Sequence, residues 1–418
     1  MNYFGIDDKV TEMGTRILKE IKPVFEKIEG IAEKNQQKML YLFKKHRVSE
    51  MHLGTSTGYG YNDVGRETLE KIMADCMGAQ DALIRHSFAS GTHTLTVALF
   101  GVLRPSDTVL SVIGRPYDTI TGVFGIDEKN DGSLADFGIK YDQVNLIDGE
   151  PDYNGIEQKL KEKFIKMAYI QRSRGYNKRK TLTINVIKKL CSVIKTVSPN
   201  TIIMVDNCYG EFVEPYEPCH VGADLCAGSL IKNPGGGIAP SGGYIAGRHD
   251  LIEKCAARMT CPGVGREVGA TLGTNREMYM GLYSSPHIVC QALKTAIYSA
   301  ALFSKLGFNV SPEYDEPRGD IIEYIELNTP QNMVNFCRGL QSGSPIDSFV
   351  NPEPWDMPGY NDKVIMAAGA FTGGSSIELS ADGPMREPYG VWLQGGLNFE
   401  SARVGIELAA SNILKNKG

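Results

Sequence analysis

The chain has 418 residues, 42% apolar and 22% charged, with a formal net charge of −5 and a pI near 5.9. It is long enough for two domains with cores of their own. Its charges are interspersed, so no like-charge tail argues for a nucleic-acid or membrane partner, and neither is expected. The N-terminus, MNYFGIDDKV, lacks the basic stretch and apolar core of a signal peptide, and no apolar run approaches a membrane span. Nine cysteines without CxxC spacing fit reduced thiols, and a cytoplasmic protein is expected.

From Val10 to Arg47, apolar residues recur at helical spacing (Ile17, Ile21, Val24, Phe25, Ile28, Ile31) among charges. The spacing predicts one or two amphipathic helices, an N-terminal arm over residues 1–50. After a Gly/Tyr-rich loop at 54–65, short apolar runs alternate with helical patterns. Strands are expected at 81–87, 107–113, 139–146, 164–171, 201–206 and 223–229, and helices at 92–103 and 185–197. That alternation predicts an α/β domain over residues 51–285, a mostly parallel sheet covered by helices on both faces. A long helix is expected at 284–307. IIEYIELNT, KVIMAAGAF and ARVGIEL then suggest a smaller α+β domain over 286–418, with an exposed Pro-rich loop at 351–360.

Four segments carry chemistry, and each has a plainer alternative. SFASGTHTLTVALFG (87–101) reads as a strand end, a turn at Ser90, Gly91 and Thr92, then a helix. Backbone N–H groups at a helix start, with glycine allowing close approach, bind phosphate without a basic residue. The alternative is an ordinary N-cap. Tyr117, in GRPYDT after the next strand, offers a face to a flat heteroaromatic ring or packs as a plain tyrosine.

The apolar run TIIMVD ends in Asp206, at the strand end where open α/β sheets bind ligands. A carboxylate there keeps a pyridine nitrogen protonated. It is otherwise a Mg²⁺ ligand or a helix cap, and the GxxxxGK[ST] loop that the Mg²⁺ reading needs is absent. In AGSLIKNPGGGIAPSGGYIAG (227–247), Lys232 stands among apolar and small residues. Burial lowers a lysine pKa and yields the neutral amine that condenses with a carbonyl, unless this lysine is simply exposed in its glycine loop. Ser229 adds a hydroxyl for phosphate. In order, these are a phosphate turn, a tyrosine, a strand-end aspartate and Ser-x-x-Lys, with Lys232 26 residues after Asp206. They supply what pyridoxal 5′-phosphate (PLP) requires: a Schiff-base lysine, an aspartate for the pyridine nitrogen and a stacking ring.

On SGTHTL, GRPYDT, VDNCYGEF and GSLIKNPGGG, the sequence resembles the methionine γ-lyase-like, or aluminium-resistance, proteins, relatives of the cystathionine-metabolising lyases. The resemblance covers nearly the whole chain. It implies the fold-type I PLP-dependent transferase fold, a homodimer or homotetramer with shared sites, and a carbon–sulfur lyase acting on a sulfur amino acid. Another PLP enzyme such as an aminotransferase, and a non-catalytic PLP-binding protein, are the alternatives. Position by position, Ser90, Gly91 and Ser229 match the phosphate contacts, Tyr117 the stacking ring, and Asp206 and Lys232 their namesakes.

Three departures stand out. Ile231 replaces the serine or threonine that precedes the lysine in the relatives. A Tyr-x-Arg motif that reaches the neighbour's phosphate is represented by Tyr59, Tyr61 and a displaced Arg66, in a stretch that also reads as a surface loop. The arginine that grips the substrate carboxylate falls on a strand matching SARVGIEL, where Arg403 is two positions out of register and Arg386 competes. The segment 370–379 brings Thr372 and Ser375 toward that carboxylate, and QRSRGY brings Ser173 or Arg174 toward the cofactor's phenolic oxygen. His93 reads as a helix-face residue. Cys208, Cys219, His220 and Cys226 read as buried thiols and a loop histidine without zinc spacing, so no metal is expected.

Overall fold

The computed structural model describes residues 3–127, 131–177, 179–357 and 362–415. Contacts divide the chain into two units, Lys34–Ser285 and Met1–Glu33 with Pro286–Gly418. The chain opens with α1 (Asp8–Glu20) and α2 (Lys22–Lys45). Asp7 caps α1 by accepting from the Lys9 N–H at 2.8 Å. Val10, Ile17 and Ile21 lie in one core with Tyr298, Phe303 and Ile406, so the first helix helps to build the C-terminal unit.

The larger unit continues through α3 (Val64–Met77), β1 (Asp81–Arg85), α4 (Gly91–Val102), β2 (Thr108–Ser111), α5 (Asp118–Phe124), β3 (Lys140–Gln143), α6 (Tyr153–Glu162), β4 (Met167–Gln171) and α7 (Ile184–Val197). It is completed by β5 (Ile202–Asp206), β6 (Leu225–Ser229), β7 (Gly243–Gly247) and α8 (His249–Met259), and α9 (Asn275–Lys305) follows. Among the described residues the sheet has the order β1-β7-β6-β5-β4-β2-β3. β7 is antiparallel to both of its neighbours, and the pairings from β6 to β3 are parallel. Each expected strand segment contains one of these strands, so the mostly parallel α/β sheet is as expected. β4, β5 and β6 are buried at every residue, which is what their continuous apolar runs serve. The register Gln171↔Asp206 and Asp206↔Ala227 brings their carboxyl ends level.

The C-terminal unit adds β8 (Asn309–Ser311), β9 (Glu323–Glu326), α10 (Pro330–Ser342), β10 (Val364–Ala367), β11 (Ser380–Pro384), β12 (Gly390–Gln394) and α11 (Phe399–Lys415). Its sheet is antiparallel, in the order β10-β11-β12-β9-β8. One expectation is corrected here: ARVGIEL lies within α11 and is not a strand. Its buried residues Ala402, Ile406, Ala409, Ala410 and Ile413 recur three and four apart, whereas a strand would bury alternate positions. Arg403 therefore stands on a helix. Of the expected loop at 351–360, residues 358–360 lie outside the described residues.

Candidate active site

β5 delivers Asp206 to the sheet edge with 2% of its surface exposed. The Cys208 N–H donates to Oδ1 at 3.1 Å and the Tyr169 hydroxyl to Oδ2 at 3.3 Å, so the carboxyl is held from the following turn and from β4. Burial pushes its pKa above the ordinary value, against the Cys208 N–H and the charge of Lys232. The chain then turns sharply. Tyr209 has φ 69°, and Gly210 follows where a Cβ would stand 2.4 Å from Arg172 Cδ.

A buried polar layer fastens this turn. Arg172, with no exposed surface, donates to Asn207 Oδ1 at 2.8 Å and Glu214 Oε2 at 2.9 Å. Asn207 donates in turn to Glu217 Oε2 at 3.0 Å and to the Tyr244 hydroxyl at 3.1 Å, and Tyr244 donates to Glu211 Oε1 at 2.9 Å. Pairing of this kind is what makes a buried guanidinium tolerable. Burial pushes the Glu211 carboxyl up to about 8.

Lys232 follows the end of β6 by three residues, and its Nζ lies 3.9 Å from the centroid of the Tyr209 ring. Burial disfavours its charge, but Tyr209, Cys208, Tyr117 and Asp206 favour it, and the balance holds the amine above its ordinary value. The expectation that burial would deliver a neutral amine is thus corrected. The groups around the amine, Tyr209 first, outweigh desolvation in the protein as it stands.

The start of α4 faces the end of β6. Ser90 caps the helix, its Oγ accepting from the His93 N–H at 3.0 Å. A Cβ on Gly91 would stand 3.2 Å from Ser229 Cβ, so only glycine lets the two segments approach this closely without displacement. The Ser229 hydroxyl is buried without a hydrogen-bond partner among the described residues. Leaving such a group unpaired costs on the order of 1–3 kcal/mol. An orphan hydroxyl, a helix N-terminus and a glycine in one cradle fit a phosphate. Thr92 Oγ1 lies 3.1 Å from the Tyr117 hydroxyl, and the Tyr117 N–H donates to Gln171 Oε1 at 2.9 Å. Ser90, Gly91, Thr92, Tyr117, Asp206, Ser229 and Lys232 thus converge within one unit.

The other expected residues have surroundings or partners of their own. Tyr59 and Tyr61 are exposed, with their rings stacked at 5.6 Å. Arg66 is buried and donates to the carbonyls of Gly60 and Gly269, each at 2.8 Å. Ser173 lends its carbonyl to Gln171 Nε2 at 3.0 Å, and Arg174 is wholly buried. Arg403, Arg386, Thr372 and Ser375 belong to the C-terminal unit. Arg403 Nε pairs with Glu407 at 2.7 Å and Arg386 with Asp362 at 2.7 Å. The Thr372 N–H donates to Glu378 Oε1 at 2.7 Å. His93 is exposed on its helix, and its Nδ1 accepts from the Ala89 N–H at 3.0 Å.

Sequence reasoning missed Tyr169, Gln171, Tyr209 and the layer around Arg172. The available signal was a polar residue closing each of two apolar strands, Gln171 on β4 and Asp206 on β5.

A sequence model of the family described as methionine gamma-lyase matches residues 10–414. A solved structure from Clostridium novyi NT, described as a carbon-sulfur lyase involved in aluminum resistance, is 50% identical with a TM-score of 0.95, covering 98% of this chain and 97% of that one. YnbB, an uncharacterized protein of Bacillus subtilis, is 48% identical over 95% of both chains. The pyridoxal-5′-phosphate dependent protein YhfS of Escherichia coli shares the fold, with a TM-score of 0.63 at 15% identity over 93% of this chain and 97% of that one.

Proposed function

The chain belongs to the methionine gamma-lyase family, and from that premise we propose that it is a PLP-dependent carbon–sulfur lyase acting on a sulfur-containing amino acid. The observation that carries this reading is the convergence of the Lys232 amine, the buried Asp206 carboxyl and the orphan Ser229 hydroxyl beside the start of α4. The amides of Gly91 and Thr92, with Ser90 and Ser229, would hold the phosphate, Asp206 the pyridine nitrogen, Tyr117 a ring face and Lys232 the carbonyl carbon. When bound, the cofactor supplies an electron sink for charge developing at the substrate Cα.

The chain's own groups do the rest. Lys232 would serve as the base that takes the substrate's Cα proton. Burial keeps the Tyr117 phenol protonated, and Thr92 and Gln171 fix its position. With a thiol lost from Cβ or Cγ and one water consumed, the products would be a 2-oxo acid and ammonia. Arg403 or Arg386 would take the substrate carboxylate, with Thr372 and Ser375 beside it, and Ser173 or Arg174 would face the phenolic oxygen. The exposed Tyr59–Tyr61 stack supports a homodimer or homotetramer whose copies share sites, with Arg66 bracing that loop. Among the described residues, no helix is long and apolar enough to cross a membrane.

The test is product analysis of PLP-loaded protein with a panel of sulfur amino acids. Stoichiometric 2-oxo acid and thiol are expected. Amino transfer to a keto acid would instead assign an aminotransferase, and a cofactor absorbance band without turnover a binding protein. Lys232→Ala should lose the visible band of bound cofactor, and a surviving band overturns the assignment. Light scattering that shows a monomer would remove the shared site.

A further inference from the structure

Resting on the reading that Lys232 bonds the cofactor, we infer that the ring of Tyr209 is the seat that holds the Lys232 ammonium whenever that bond is open and the amine carries a proton. Nζ lies 3.9 Å from the ring centroid, where an ammonium is drawn to the negative face of the π-system. Tyr209 is only 7% exposed, so solvent screens the attraction weakly. Its backbone stands at φ 69°, a region that bulky side chains avoid and that persists only where the surroundings enforce it. Here they do. The Cys208 N–H is tied to Asp206 Oδ1, the Gly210 N–H donates to the Asn207 carbonyl at 2.8 Å, and Arg172 fills the space beside Gly210. One turn therefore brings both the Asp206 carboxyl and the Tyr209 face to the amine.

The groups facing Lys232 are Tyr209 and Cys208 from this turn, Asp206 from the end of β5 and Tyr117 from the start of α5. Burial keeps the Cys208 thiol and the Tyr117 phenol protonated, which leaves Asp206 as the counter-charge. Among the described residues Lys232 makes no ion pair with Asp206. A ring-face seat holds the amine and leaves that carboxylate open to a pyridine nitrogen. Tyr209 is thus a positioning residue for the reacting amine.

The experiment replaces Tyr209 with phenylalanine and then with mono-, di- and trifluorophenylalanine, a series that keeps the ring while draining negative potential from its face. The full-length chain, stripped of cofactor by dialysis, is acetylated at one mildly alkaline pH, and the peptide containing Lys232 is quantified by mass spectrometry. Tyr209→Phe should match the parent. The acetylation rate should then rise stepwise, by roughly three- to tenfold at the trifluoro end, as loss of the seat favours the neutral amine. Unchanged circular dichroism spectra would confirm that each variant is folded. Equal rates across the series overturn the inference, as does a large change in Tyr209→Phe, which would assign the effect to the hydroxyl. These readouts need no bound cofactor, so they stand apart from the Lys232→Ala test: a cofactor band that survives there sinks the functional reading whatever the fluorinated series gives.

Discussion

The proposed cofactor cradle and the arginines of the C-terminal unit differ in how their polar groups are committed. At the ends of β5 and β6, a buried hydroxyl has no partner among the described residues and the Lys232 amine lies over a ring face. In the C-terminal unit, Arg403 is paired with Glu407, which also accepts from the Tyr298 hydroxyl at 2.6 Å, and Arg386 is paired with Asp362. The first region is prepared for a guest. To hold a substrate carboxylate the second would have to exchange one carboxylate for another, a swap that costs little at the exposed Arg386 and more at Arg403, whose partner is buried. On the proposed reading, the cofactor's contacts would come from the large unit, whereas substrate choice would rest on which arginine gives up its partner.

The largest effect expected is at Asp206. Asp206→Ala should leave PLP bound while turnover falls by about a hundredfold or more, since one preorganised electrostatic partner commonly carries that much. Unchanged turnover would remove the pyridine-nitrogen role. Next is the polar layer beneath the site. Glu211 is held near 8 against an ordinary 4.5, so its contribution to stability is present below that ordinary value and is lost as pH rises through about 8. Glu211→Gln should flatten this loss, raising stability at pH 8 by on the order of a few kcal/mol with little change at pH 4. Urea unfolding at both pH values checks it, and parallel curves for parent and variant would place the charge burden elsewhere.

Ser229→Ala sharpens the comparison directly. If the orphan hydroxyl waits for a phosphate, its loss should weaken PLP binding by roughly tenfold or more in equilibrium dialysis, because hydrogen bonds to charged groups are the stronger kind. The unloaded protein, which gains no hydrogen bond from that hydroxyl, should melt at nearly the same temperature. Smallest in stability, at no more than about 1 kcal/mol, is Arg386→Gln, an exposed pair. Its KM set against that of Arg403→Gln decides between the two: the carboxylate-binding arginine raises KM sharply and the other leaves it unchanged.

Much of the large unit was legible because its signals are local. A strand buried on both faces must be continuously apolar, so MAYIQ, IIMVD and LCAGS declare themselves, and Ser90 before a helical run declares a cap. The C-terminal stretch misled where resemblance overrode period: ARVGIEL was matched to a strand, although Ala402, Ile406 and Ala409 carry helical spacing. Tyr209 was hidden for another reason. Nothing in DNCYGEF announces that the chain turns left-handed there, since that follows from the fit of Arg172 against Gly210.

By itself, then, the sequence determined the order of the chemistry: a capped glycine turn, a tyrosine, a strand-end aspartate and a lysine at fixed separation. Spacing along a strand or helix dictates where each side chain emerges, so these residues were bound for the same edge of one sheet. Only the tertiary structure decided the charge of Lys232. Burial alone lowers a lysine pKa, but the turn that carries Tyr209, Cys208 and Asp206 and the start of α5 with Tyr117 close around the amine and reverse the direction. A Coulomb interaction depends on distance in space, and those distances exist only once the strands have paired.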